Sequence, residues 1–490
     1  MHELSIRRGV ITIGVGVFAE RATAFISNIL LARLLLPQDF GLVTMALTVS
    51  EAVTLLGNLG IGSALIHKRD ETEEYTNAAF WLGLGVGVGL GVLQALISGW
   101  AAEFYRAPLV QPILLVYALG YCITALGNVH TTLLVKELRF DPVMKVAVSS
   151  ALSNALVAVG LAAAGFGVWS LVLGRLAAQC VSTLMNWWLC RWRPSGWASK
   201  RHYSGLIIYG RNMFVSDGLA YLNHNADYLI LGQQLGPAVL GIYLLAYNLA
   251  MLPVTTISLI VGRASFPVFA QLQHQREELQ RTFVTAMRLS ALLGFPILVG
   301  MVILANELII ALVGSRWQPA VMPLRLLAIY ALGRSISAHA GQLLNAVGRP
   351  DIPMKFNLVY TPIFLPGLLV SARYGAVGVA AATAAISGVA TWLYLLIALR
   401  AMDWSFHLVL NATGPPFVAA NIMGFGVALG HRILSLYHPA PLAVLAVLVP
   451  AGVMLYALIF WMFYPEIYHQ LEPRRLMCFV WTTVKESILH

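Results

Sequence analysis

The sequence predicts an all-α, polytopic membrane protein with about fourteen transmembrane helices, in two parallel six-helix lobes plus two C-terminal helices. Three observations lead to this fold class. First, 59% of the 490 residues are hydrophobic and 11% are charged, whereas about 25% of a typical soluble protein is charged. Second, apolar stretches of about 20 residues recur along the whole chain, and each is long enough to cross a bilayer as a helix. Third, short motifs repeat at a spacing of 200 to 210 residues.

Helices are the expected spanning elements because hydrocarbon offers no hydrogen-bond partner to an open sheet or loop. In the first span, Glu20 and Arg21 interrupt the apolar run, which favours a retained helix over a cleaved signal peptide. The segment QLQHQREELQ, between the eighth and ninth spans, is expected to form a short amphipathic helix. The predicted spans lie near 9–31, 41–61, 78–100, 110–134, 146–164, 168–190, 206–231, 238–261, 287–305, 322–346, 356–372, 376–399, 408–429 and 441–463.

A glycine-rich stretch lies inside the third span. GLGVGVGLG (83–91) looks like a nucleotide-binding loop, but Gly83, Gly87 and Gly91 repeat every four residues. Small residues at this spacing let two membrane helices pack closely. We therefore predict helix packing here.

The distribution of basic residues predicts the orientation. Of the 31 Lys and Arg residues, 21 lie in the alternate loops that include both termini and 5 in the opposite loops. Because basic residues collect on the cytoplasmic side, both termini are expected in the cytoplasm. The net charge of +10 then reflects topology and contact with anionic lipid headgroups, and does not indicate nucleic-acid binding.

An internal repeat relates the two lobes. RFDPVMK (139–145) aligns with RPDIPMK (349–355), and LLPQDFGLV (35–43) aligns with LGPAVLGIY (235–243). Parallel repeats related by a pseudo-two-fold axis place a substrate site between two bundles near the midplane. Chance similarity of short loop motifs is the alternative. The predicted organisation is an N-terminal lobe 1–195, a C-terminal lobe 196–400, two extra spans in 401–465 and a cytoplasmic tail 466–490.

Ionisable and amide side chains inside the predicted spans are the candidates for function. A charged side chain that faces lipid costs at least about 2.5 kcal/mol, so these residues should face protein or a water-filled cavity. On a helical wheel, four polar residues of the seventh span lie within an arc of about 120°: Asp217, Asn223, His224 and Asp227. We predict a substrate path lined by Glu20, Arg21, Asn28, Glu51, Arg175, Arg211, Asp217, Asn223, His224, Asp227 and Arg334.

Arginine is the basic residue that the spans use. Its guanidinium group keeps its charge and binds phosphate in bidentate geometry, which suits a diphosphate headgroup. The alternative is that these charges pair across helices and only hold the bundle together. His224 is as consistent with a structural hydrogen bond as with proton handling.

Motifs for covalent chemistry are missing from the sequence. It has no Walker A lysine, no HExxH and no DxD pair, and its four cysteines form no CxxC or His-paired cluster. We therefore expect a protein that is not an enzyme, with no catalytic residue, no metal ligand and no cofactor. Transport would draw on ion gradients, membrane potential or substrate disposal, with H⁺ and Na⁺ both open as coupling ions.

Three stretches carry a resemblance to a known family. They are LLPQDFGLVTMALTVSEAVTLLGNLGIGSALIHKRD (35–70), NADYLILGQQLGPAVLGIYLLAYNLAMLP (225–253) with FPVF (266–269), and SRWQPAVMPLRLLAIYALGRSISAHAGQLLNAVGRPDIPMK (315–355). They resemble Wzx-type polysaccharide flippases of the multidrug/oligosaccharidyl-lipid/polysaccharide exporter (MOP) superfamily. The resemblance is closest to the colanic acid and teichuronic acid branch.

The resemblance implies a function, a location and partners. Such proteins flip undecaprenyl-diphosphate-linked oligosaccharides from the cytoplasmic to the periplasmic leaflet of the bacterial inner membrane by alternating access. They serve exopolysaccharide, capsule or O-antigen lipopolysaccharide assembly, and their cavities are lined chiefly by spans 1, 2, 7 and 8. The implied partners are this lipid-linked substrate, membrane lipids, a polysaccharide polymerase and chain-length or export proteins, with no nucleic acid.

Two alternatives stay open. A drug or cation antiporter of the same superfamily is one, although spans with at least as many arginines as acids do not favour a cationic substrate. A membrane polysaccharide polymerase or glycosyltransferase is the other, although such enzymes usually have a large extracytoplasmic loop. The sequence leaves the sugar composition open.

Overall fold

The computed structural model describes residues 2–57, 65, 73–137, 139–196 and 214–464, apart from the side chains of residues 2–15, 214–217, 219, 220 and 263. Helices make up nearly all of the described chain, and no β-strand occurs within it. The predicted all-α fold class is therefore confirmed.

Fifteen α-helices cover the described ranges. They are α1 (His2–Leu34), α2 (Pro37–Leu56), α3 (Glu73–Phe104), α4 (Val110–Lys136), α5 (Phe140–Ala163), α6 (Val168–Leu189), α7 (Phe214–Gln271), α8 (Arg276–Ile303), α9 (Ala305–Val313), α10 (Val321–Ala346), α11 (Asp351–Ser371), α12 (Gly375–Ala382), α13 (Gly388–Ala401), α14 (His407–Ser435) and α15 (Pro441–Phe463). Two 3₁₀ turns, Ser315–Ala320 and Ala372–Tyr374, precede α10 and α12, and a π-helical stretch, Thr383–Ser387, joins α12 to α13.

Eleven helical segments of the described chain are long and apolar enough to cross a membrane. Two of them, Tyr221–Gly262 and Asp351–Ala401, contain 42 and 51 residues, which is about twice the length that one crossing needs. A break divides each, at Gly236 in α7 and at the turn Ala372–Tyr374 after α11. With α1 included, a helical segment lies at each predicted position, so the prediction of about fourteen spans is confirmed.

The break in α7 follows from two neighbouring residues. Gly236 adopts φ 78° and ψ −179°, a conformation that costs a residue with a Cβ but is open to glycine. Pro237 follows it and has no N–H to continue the helical hydrogen bonds. The boundary between the seventh and eighth predicted spans therefore falls where the sequence indicates it.

The predicted short amphipathic helix in QLQHQREELQ is wrong. Gln271 is the last residue of α7, and Arg276 is the first residue of α8, so this segment is shared between the ends of two long helices. Glu277 and Glu278 lie in the first turn of α8, where carboxylates interact favourably with the helix dipole. The helix start therefore forms here, about a dozen residues before the apolar part begins.

The chain divides into two compact units, residues 1–241 and 242–490. The first half of α7 belongs to the amino-terminal unit, and its side chains hydrogen-bond to α2. The predicted lobes, 1–195 and 196–400, and the two appended spans in 401–465 stay predictions.

Within the amino-terminal unit, α3 packs along α4, α5 along α6, and α1 along α5. The glycines of α3 make the first contact close. A Cβ at Gly87 would lie 2.5 Å from the Ala125 side chain, and a Cβ at Gly91 would lie 2.8 Å from the Ala118 carbonyl oxygen. The predicted packing role is therefore confirmed for these two glycines. It is wrong for Gly83, where a Cβ would meet nothing within 4 Å.

The two Pro-x-x-x-Gly motifs of the internal repeat lie against each other in this unit. Pro37 is the first residue of α2, and Pro237 begins the second half of α7. A Cβ at Gly41 would overlap the Pro237 carbonyl oxygen, and a Cβ at Gly241 would overlap the Pro37 carbonyl oxygen. The contact is therefore reciprocal, and each glycine makes room for the backbone beside the other motif's proline.

In the second unit, α14 packs on α8 and α15 packs on α14. A hydrogen-bonded group links α9 to α14: the Glu307 carboxylate accepts from Asn306 Nδ2 at 3.1 Å and from His431 Nε2 at 3.0 Å. Burial by itself raises the pKa of Glu307, but these hydrogen bonds outweigh burial and hold the pKa below its usual value.

Candidate functional site

A cavity of about 570 Å³ lies inside the amino-terminal unit, between α2, α3, α4 and α6. Its volume falls within the range of small-molecule sites, roughly 300–1,000 Å³. Leucine, valine, alanine and glycine form part of the wall. The polar lining residues are Ser50, Glu51, Thr54, Tyr117, Tyr121, Thr124, Asn128, Thr131, Thr132, Arg175 and Gln179.

Arg175 of α6 supplies the positive charge. Its guanidinium carbon lies 5.9 Å from the centre of the Tyr117 ring, within the distance of a cation–π interaction. With the residues that the structure describes, Arg175 forms no ion pair. Among these residues no carboxylate occupies the guanidinium donors, and the tyrosine ring holds the side chain in place.

Glu51 of α2 supplies the negative charge and connects the cavity to α7. Asn225 Nδ2 donates to the Glu51 carboxylate at 3.2 Å, and one turn earlier Tyr221 Oη donates to the Thr48 carbonyl oxygen at 2.8 Å. Asn225 is 7% exposed, so its amide would lose a partner that water does not readily replace if the carboxylate moved. These two bonds attach the first half of α7 to the wall of the cavity.

Tyr121 joins α4 to α2 on the same wall. Its Oη donates to the Ser50 carbonyl oxygen and lies 3.1 Å from Thr54 Oγ1. Among the described residues, the buried Tyr117 Oη and Gln179 Oε1 have no hydrogen-bond partner. Part of the polar lining is therefore rigidly bonded to backbone, and part retains hydrogen-bonding capacity.

Of these polar lining residues, the predicted path contains Glu51 and Arg175. The prediction started from ionisable side chains and added the amides Asn28 and Asn223, which share a helical face with them. On α4 the polar residues Tyr117, Tyr121, Thr124, Asn128 and Thr131 follow one another at intervals of four and three residues. That spacing places them on one helical face. A search for hydroxyl and amide residues at helical spacing would have found this face.

The structure places the predicted path residues in different surroundings. Among the described residues, Glu51 and Arg175 are the two that line the cavity. Arg211 lies outside the described residues, as does the side chain of Asp217, which is on α7. The remaining residues lie half-buried (Glu20, Asn223 and Arg334), exposed (Arg21, Asn28 and His224) or buried (Asp227). A path that includes them stays a prediction.

Comparison with known proteins places this architecture in a family. Residues 30–322 match the family model described as "Polysaccharide biosynthesis protein". The chain belongs to this family. The match begins in α1 and extends into α10, so it contains every residue that lines the cavity.

Relatives of this family member come from several bacteria. The lipopolysaccharide biosynthesis protein WzxC of Escherichia coli K12 is 28% identical over 373 residues, which is 76% of this chain and 74% of WzxC. The teichuronic acid biosynthesis protein TuaB of Bacillus subtilis 168 is 28% identical over 420 residues, 84% of this chain and 85% of TuaB. The succinoglycan biosynthesis transport protein ExoT of Rhizobium meliloti 1021 is 26% identical over 400 residues, 80% of this chain and 78% of ExoT. The resemblance to Wzx-type proteins is confirmed.

Solved structures confirm the fold. The lipid II flippase MurJ, in an inward closed conformation, superposes with a TM-score of 0.77 over 94% of this chain and 100% of MurJ, at 15% identity. An inward-facing multidrug resistance MATE transporter of the MOP superfamily superposes with a TM-score of 0.61 over 81% of this chain and 98% of that one, also at 15% identity. The protein is thus a multi-span membrane protein that shares its fold with these two transporters.

Proposed function

We propose that the protein flips undecaprenyl-diphosphate-linked oligosaccharide units from the cytoplasmic to the periplasmic leaflet of a bacterial inner membrane, for assembly of a surface polysaccharide. The observation that carries the proposal is a polar cavity among membrane helices in a member of the polysaccharide biosynthesis family. The relative named as a transport protein and the fold shared with a lipid flippase support it.

The physical obstacle to flipping is the headgroup. Moving an unpaired polar group from water into an apolar medium costs roughly 2–7 kcal/mol, and an oligosaccharide carries many hydroxyl groups. Hydroxyl and amide side chains in the cavity would replace the lost water. No covalent bond changes, so Glu51 and Arg175 act by binding.

The predicted orientation gives the cavity a loading side. With both termini in the cytoplasm, α2 and α4 end and α3 begins at the cytoplasmic face. Thr54, Thr132 and Ala79 line the cavity near these helix ends. A headgroup made in the cytoplasm would therefore enter the amino-terminal unit from the side on which it is synthesised, before a polymerase and export proteins use it outside.

Deletion of the gene in a bacterium that carries it tests the proposal. We expect surface polysaccharide to be lost and lipid-linked oligosaccharide to accumulate, open to a membrane-impermeant glycosidase in inverted vesicles and protected in right-side-out vesicles. Re-expression of the gene should restore both properties. If single units accumulate and the glycosidase cleaves them in right-side-out vesicles, the protein would instead be a polymerase. Unchanged surface polymer in a deletion strain that has no second flippase would refute transport.

A further inference from the structure

The described residues that line the amino-terminal cavity carry no net charge. Among its described lining residues, Glu51 is the acid and Arg175 is the base. A diphosphate linked to a lipid and a sugar carries two negative charges, so Arg175 would neutralise one and Glu51 would repel both. Burial of an uncompensated charge is costly. The described lining therefore offers no net positive charge to a diphosphate.

The neutral lining has the chemistry that recognises carbohydrate. Thr54, Asn128, Thr131 and Gln179 present hydroxyl and amide groups. Such groups combine donor and acceptor atoms, as the hydroxyl groups of a sugar do. A carboxylate such as Glu51 has about four acceptor sites and can accept from neighbouring sugar hydroxyls while it keeps the bond from Asn225.

Apolar and aromatic groups complete the wall. Val86 and Leu90 of α3 and the tyrosine rings of α4 line the same space. A sugar ring has apolar C–H faces as well as polar edges, and a mixed wall of this kind is what small-molecule sites use to orient a ligand. The cavity of about 570 Å³ has room for about twenty waters at roughly 30 Å³ each, which a sugar would displace.

Gly83 leaves part of this space open. It lines the cavity, and a Cβ at this position would meet nothing within 4 Å, unlike the neighbouring glycine at 87 that packs against α4. A larger side chain at position 83 would therefore enter the cavity without displacing a neighbouring helix.

We propose that this cavity is a carbohydrate subsite. It binds the sugar units of the lipid-linked substrate through its hydroxyl, amide and carboxylate groups, and the diphosphate binds elsewhere. The inference rests on the proposed function and assigns one part of the substrate to one part of the chain.

The test compares two substitutions on one helix. Gly83→Leu places a side chain in the cavity. Gly85→Leu, two residues away, places the same side chain on the exposed face of α3, where a Cβ also meets nothing within 4 Å. Both replace glycine inside the same helix, so their effects on helix stability match. Purified variants are titrated with undecaprenyl diphosphate that carries no sugar and with the lipid-linked unit extracted from the deletion strain.

We expect wild type and Gly85→Leu to bind the sugar-bearing lipid at least tenfold more tightly than the sugar-free lipid. Gly83→Leu should bind both lipids with the affinity that wild type has for the sugar-free lipid. An equal loss of affinity for both lipids in Gly83→Leu would place the diphosphate in the cavity and overturn the proposal, as would an unchanged preference for the sugar-bearing lipid. Wild type that neither binds nor flips the lipid-linked unit would refute the proposed function itself.

Discussion

The reciprocal contact between the two Pro-x-x-x-Gly motifs makes a sharp prediction about stability. In Gly41→Ala, the new Cβ overlaps the Pro237 carbonyl oxygen, and in Gly241→Ala it overlaps the Pro37 carbonyl oxygen. A backbone carbonyl cannot rotate away as the end of a long side chain can, so the two segments must separate. Overpacking of this kind typically costs about 1–3 kcal/mol.

A matched control separates this cost from helix propensity. Replacing glycine by alanine inside a helix by itself raises the free energy of unfolding by roughly 0.5–1 kcal/mol. At Gly85 of α3 the new Cβ meets nothing within 4 Å, so Gly85→Ala should show the gain alone. The free energy of unfolding of Gly41→Ala should then be about 1–3 kcal/mol lower than that of Gly85→Ala, because the two variants differ only by the overpacking cost.

Equilibrium unfolding in mixed detergent micelles measures these differences. The double variant Gly41→Ala/Gly241→Ala should lose less unfolding free energy than the two single variants lose together. Separating the segments once relieves both overlaps. If Gly41→Ala and Gly241→Ala are as stable as Gly85→Ala, the two Pro-x-x-x-Gly motifs are not in contact in the folded protein, and the prediction is refuted.

Three further predictions concern charged groups. A double-mutant cycle of unfolding free energies with Glu51→Ala and Asn225→Ala should give a coupling energy of about 0.5–1.5 kcal/mol. Glu51→Gln should retain part of this coupling because it keeps a hydrogen-bond acceptor. Zero coupling would show that the Glu51–Asn225 bond does not link α2 to α7. Because the pKa of Glu307 is lowered in the folded protein, its stabilising effect is present above the unfolded pKa of about 4.3 and is lost as the pH falls through the folded value. The unfolding midpoint of wild type should therefore fall more steeply below that pH than the midpoint of Glu307→Gln, and parallel curves would contradict the assignment. Arg334→Ala should lose transport at normal membrane levels, with Arg334→Lys restoring part of it because a point charge replaces a planar fork; full transport by Arg334→Ala, measured as surface polymer, would show that this charge is structural.

Only part of the cavity lining could be predicted from the sequence. Glu51 and Arg175 stand out because a charge inside an apolar span is costly and therefore conspicuous. Asn128 and Gln179 are absent from the predicted path, although helical spacing connects Asn128 to the tyrosines of α4. Asn225 lies on a span already rich in polar groups, and nothing local indicates that its partner is Glu51 of α2.

The sequence predicts correctly that the chain spans a membrane, that its fold is all-α, and that a break separates the seventh and eighth spans. Transfer into hydrocarbon depends on composition summed along each segment, and the bend at Gly236 depends on two adjacent residues, so both are local properties. The packing of the helices has a different effect on two glycines of α3: Gly83 faces open space in the cavity, while Gly87, one turn later, packs against α4. The same packing brings the two repeated Pro-x-x-x-Gly motifs into contact. Such contacts depend on the rotation and register of helices far apart in sequence, and the residues of one helix do not specify them.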